Sequence, residues 1–160
     1  MYGFKYVGSL YSPGVQPMTR KFHVTANEVI TKGDAVILTS GKLDSGADVD
    51  GASLVGVANE TVTGNSTGTN HCEVIVARPG DLYLADTASD GSYAATQVGY
   101  YFDQGNCVTA VQQISDTTAS ATAGQWMLVE HNPQGFGLDS DTSIGLFTPT
   151  QTVFSSQYNE

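Results

Sequence analysis

The side chains best suited to ligate a metal or attack an electrophile are three histidines, His23, His71 and His131, and two cysteines, Cys72 and Cys107. A zinc site needs several such groups at coordination distance, and some of them usually lie close together in sequence. Only His71 and Cys72 are adjacent, and alternation along a strand sends neighbouring side chains to opposite faces. Asp44, Asp48, Asp50 and Gly51 resemble part of a calcium loop, but the regular acidic alternation and closing Glu of an EF-hand are missing. That stretch and Asp139-Ser140-Asp141 read as solvated acidic loops. A nucleophilic site would pair Cys107 with His71 or His131, or place a serine in a Gly-x-Ser-x-Gly elbow. The elbow is absent, and the spacings favour no pairing. Sixteen acids allow many carboxylate pairs for glycoside hydrolysis, none singled out by spacing. No glycine cluster is followed by Lys and Ser or Thr, as phosphate binding would want. The expectation is a chain with no catalytic residue, no cofactor and no metal: not an enzyme.

Aromatic side chains offer a different chemistry, stacking on sugar faces, and Tyr100-Tyr101-Phe102 and Trp126 are its candidates. Alternation puts Tyr100 and Phe102 on one face and Tyr101 on the other, so at least one of those faces packs into a core. A lone Trp in an apolar run is usually buried as well.

The elements that would position these groups are short. Apolar runs separated by Gly, Asp, Asn, Ser and Thr predict an all-β body, a small barrel or sandwich. Strands are expected at Ala35–Thr39, Leu54–Ala58, His71–Arg78, Leu82–Ala85 and Gln125–His131. In His71–Arg78 both faces carry apolar residues, so one would fill the core and the other be covered by an extension or a neighbour. Gly56 suggests a bend or a close backbone approach. Gly99–Phe102 and Cys107–Val111, joined by Asp103–Asn106, read as a hairpin. Cys72 and Cys107 read as two reduced, half-buried thiols, with pairing across strands left open. Asn59-Glu60-Thr61 and Asn65-Ser66-Thr67 read as polar turns.

Charge is distributed unevenly. Residues 1–27 contain Lys5, Arg20 and Lys21 and no acid, whereas no Lys or Arg follows Arg78, and the whole chain carries a formal charge of -10. Pro13-Gly14 and Gln16-Pro17 interrupt any regular element near the start. The expected plan is therefore an extended N-terminal arm over 1–27, a β core over 28–133 and a C-terminal extension over 134–160. Phosphates would be repelled by the acidic body, and three basic residues are too few for ordinary DNA contacts, so no nucleic-acid partner is expected. No apolar run suits a signal peptide or the ~20 residues of a membrane span, which predicts a chain made in a cytoplasm with no membrane partner.

Thr31-Lys32-Gly33-Asp34-Ala35-Val36-Ile37-Leu38, then Leu54-Val55-Gly56-Val57-Ala58-Asn59-Glu60, then Cys72-Glu73-Val74-Ile75-Val76 resembles the small decoration, or cement, proteins of tailed-bacteriophage capsids. The likeness spans residues 29 to about 85, with the long arm and the tail from Gln134 as departures from the pattern. It implies a compact β-barrel that sits on the outer surface of the virion as a homotrimer and clamps neighbouring major capsid subunits. Tyr2, Phe4, Tyr6 and Tyr11 would then be anchors on the capsid, with Lys5, Arg20 and Lys21 facing its carboxylates. Against the strap stands an arm that folds back to complete its own body. The alternative function is a carbohydrate-binding β module in a head-fibre or receptor-adhesion role.

Overall fold

The β-branched and aromatic runs become strands. The computed structural model describes residues 3–12, 14–45, 54–86, 93–105, 113–114, 119–133 and 143–153. Its strands are β1 (Lys5–Ser9), β2 (Thr19–His23), β3 (Val29–Ile30), β4 (Ala35–Thr39), β5 (Lys42–Ser45), β6 (Leu54–Ala58), β7 (Val62–Thr63), β8 (His71–Val76), β9 (Asp81–Asp86), β10 (Tyr101–Phe102), β11 (Gln104–Gly105), β12 (Gln113–Ile114), β13 (Trp126–His131) and β14 (Ile144–Pro149). One five-stranded sheet has the order β1-β9-β14-β13-β10, a second the order β2-β8-β6-β4-β5, and β3-β7 and β11-β12 form two-stranded ribbons. All of these pairs are antiparallel. The fold is an all-β sandwich and not a closed barrel, although Val24, just past β2, bridges to Leu43 on β5 and draws the edges of the second sheet together there.

The central core lies between the sheets: Ala35, Ile37 and Val57 from the second meet Tyr83, Phe102, Trp126, Leu128 and Phe147 from the first. Each large apolar side chain buried here contributes about 1.5–3 kcal/mol. The far face of the second sheet is apolar too, with Val36, Val55, Cys72 and Val74 packed against Val24, Ile30 and Leu43. β8 is thus two-sided: Ile75 packs on the central core, while Cys72 and Val74 serve the outer one. Gly56 sits at a close approach, since a Cβ there would lie 2.0 Å from the Ile75 carbonyl oxygen.

Two expectations need correction. The segment 1–27 is extended but is no free strap, for β1 pairs with β9 and β2 with β8, giving an outer strand to each sheet. Its entry is fixed at the Thr31–Asp34 turn, where the Phe4 N–H donates to the Gly33 carbonyl at 2.7 Å. The physical reason is aromatic burial, since Phe4 stacks on Trp126 with ring centroids 4.4 Å apart. Within 134–160, the described residues 143–153 are not merely an appendage either: β14 lies between β9 and β13, and all six of its residues are buried. Ile144-Gly145-Leu146-Phe147 carries apolar groups to both faces, which suits a central strand. β10 pairs with β13 and β11 with β12, while Cys107–Val111, the partner expected for Gly99–Phe102 in a hairpin, lies outside the described residues. Residues 106–112, including Cys107, lie outside the described residues, as does Asp139-Ser140-Asp141.

Candidate functional site

The residues singled out as a capsid-facing set separate into four environments, and Tyr2 lies outside the described residues. Phe4 is core, only 4% exposed. Tyr6 is half-buried, edge-on to Tyr83 with ring centroids 5.5 Å apart, and its hydroxyl donates to the Val15 carbonyl at 3.0 Å. That bond ties β1 to the loop leading to β2. Burial and then the Asp81 carboxylate push the Tyr6 phenol above its ordinary range, so it stays a neutral donor. Asp81 is itself held by Arg78, whose Nε and terminal nitrogen donate to its two carboxylate oxygens at 3.0 Å each.

Lys5 lies at the flank where the sheets part, beside a cleft of about 510 Å³ lined by Phe4, Lys5, Tyr6, Pro17, Lys32, Gly33, Val57, Ala58, Asn59 and Ile75. Arg20 and Lys21 stand exposed on β2, in neither this cleft nor the next. Arg20 donates to the Thr19 carbonyl at 2.9 Å. Charged side chains on an outer strand discourage unwanted edge pairing, which is a structural use for both.

Tyr11 is the outlier, 78% exposed beside Leu10 at 49%. The backbone here is pinned: the Leu10 N–H donates to the Gly80 carbonyl at 2.8 Å. The Tyr11 ring lies so close over Gly80 that a Cβ there would stand 2.1 Å from it. Beside them runs a groove of about 460 Å³ whose lining includes Pro79, Tyr101, Ala123, Met127 and Pro149 and, among the described residues, contains no charged one.

The sugar-stacking set is split between interior and surface. Trp126 and Phe102 are fully buried, so their faces are closed to a ligand, while Tyr101 lines the groove and Tyr100 is exposed. Among the described residues no three His, Cys, Asp or Glu side chains gather where they could hold a metal ion. His23 and His71 do meet, as cross-strand partners with ring centroids 4.1 Å apart. Cys72 is a free, buried thiol pushed up to about 11, first by burial and then by Glu60, so it is a poor nucleophile near neutral pH. No helix among the described residues is long and apolar enough to cross a membrane.

The sequence reading missed Leu10, Lys32 and Met127. Leu10 was signalled by its place beside Tyr11. Lys32 had no such signal, because its position beside the N-terminal strand depends on the bond between Phe4 and Gly33. No protein-family model matches this chain, and no curated protein matches it either.

Proposed function

We propose that the chain is a structural binding protein of the capsid-decoration kind, which docks on a lattice of major capsid subunits and makes or breaks no covalent bond. The observation that carries this reading is the pinned Leu10–Tyr11 projection beside an uncharged groove, on a chain of formal charge -10. An acidic protein keeps such a face free of charge where desolvation is needed, and exposed aromatics are favoured anchors at interfaces. Because the projection is held by the Gly80 hydrogen bond, docking avoids the ordering entropy that a loose strap would lose. Repetition over a shell then multiplies modest contacts through high local concentration. The added interfacial free energy opposes shell rupture.

The test is co-sedimentation with assembled shells of the major capsid protein, comparing the parent chain with a Leu10→Ser/Tyr11→Ser double variant. The parent should pellet with the shells and raise their rupture temperature, and the folded double variant should stay in the supernatant. Equal binding by both would reject the projection as the docking face. Failure of the parent to bind any shell would reject the lattice reading itself.

A further inference from the structure

We propose that the flank cleft between the two sheets binds an acidic peptide segment carrying a large apolar side chain. This stands on the fold alone and is separate from the Leu10–Tyr11 groove. Of the six basic side chains in the chain, Lys5 and Lys32 both lie at this cleft, and among the described residues no Asp or Glu lines it. Both are exposed, and among the described residues neither ammonium is paired with a carboxylate. Arg78, by contrast, is committed to Asp81, and the Lys42 ammonium donates to the Thr67 carbonyl at 3.4 Å.

Besides the two lysines the lining is mostly apolar and includes Phe4, Tyr6, Val57 and Ile75 from the margin of the central core. The volume of about 510 Å³ falls within the roughly 300–1,000 Å³ of ordinary ligand pockets, which mix an apolar lining with a few placed polar groups. Such a site fits a ligand with an apolar side chain between carboxylates. Two lysines are too few to track a nucleic-acid backbone, which favours the peptide. Nearby carboxylates work against an anion: Glu73 accepts from Asn59, a lining residue, at 2.6 Å, and Glu60 accepts from the Glu73 N–H at 2.8 Å. The site therefore makes predictions of both signs.

The probe is a blocked hexapeptide of alternating Asp and Phe, titrated into the isotopically labelled full chain and followed by amide chemical shifts. Two controls are the same peptide with Asn for Asp, and a short oligothymidylate. Shifts are expected at Lys5, Gly33, Asn59 and Ile75, with the Asn peptide about tenfold weaker in low salt. Lys5→Ser/Lys32→Ser should weaken the acidic peptide about tenfold, and Glu73→Gln should tighten it about twofold. If the double variant disturbs the amide spectrum, Lys32→Ser alone carries the same expectation at about threefold. Equal binding of both peptides, shifts located elsewhere, no binding, or tighter binding of oligothymidylate would each overturn the proposal.

Discussion

Phe4 and Tyr11 sit seven positions apart on one segment, look alike as aromatic anchors in the sequence, and end in opposite places, 4% and 78% exposed. Both stretches are held by backbone hydrogen bonds to glycine carbonyls, Phe4 to Gly33 and Leu10 to Gly80. What separates them is what lies beneath. Under Phe4 is the Trp126 ring, stacked at an interplanar angle of 17°. Under Tyr11 is Gly80 at a turn. Rigidity therefore does not distinguish core from docking surface in this segment; the depth of the partner does.

The largest effect expected from this contrast is deletion of residues 1–21, which removes Phe4, β1 and most of β2. The remainder should lose its cooperative unfolding transition, measured by circular dichroism against temperature. Next, Phe4→Ala should cost about 3–5 kcal/mol, lowering Tm by roughly 10 °C or more, since it leaves a hole against Trp126. Tyr11→Ala should change stability by no more than about 0.5 kcal/mol. Equal losses at the two positions would erase the distinction between them.

A smaller effect sharpens the comparison at the two edges of the second sheet. The β2 edge carries Arg20 and Lys21, whereas on the β5 edge Asp44 lies near Glu28. Burial first and the Glu28 carboxylate second raise the Asp44 carboxyl above its ordinary value. A raised carboxyl binds its proton more tightly in the folded state. Its stabilising contribution is complete below the unfolded value and is lost as pH rises through the folded one. Asp44→Asn should accordingly gain up to about 0.5 kcal/mol at pH 7, and that gain should vanish toward pH 3 in urea titrations.

The strands at Ala35–Thr39, Leu54–Ala58, His71–Val76 and Trp126–His131 were legible because β-branched and aromatic runs bounded by turn residues carry a local signal. So was the reason for Gly56. Inclusion of the terminal strands was not legible. In β1, Tyr6 and Val7 flank no strict alternation, and β14 is a buried run whose partners, β9 and β13, are set by tertiary packing. The absence of acids in residues 1–27 was real. Its simplest structural counterpart is an edge strand dressed with Arg20 and Lys21, which a charge pattern cannot tell from a strap. The candidate sites were half legible, for Tyr11 and Lys5 stood out as types, while Lys32 joins Lys5 only through the folded path of the chain.

The account turns on the N-terminal segment being a wall of the sandwich, and amide hydrogen exchange of the free protein tests that most directly. The Phe4, Leu10 and Val24 amides, bonded to Gly33, Gly80 and Asn70, should exchange as slowly as those at the centre of β9. Exchange at the rate of an unstructured chain at these three positions, with β9 still protected, would contradict it.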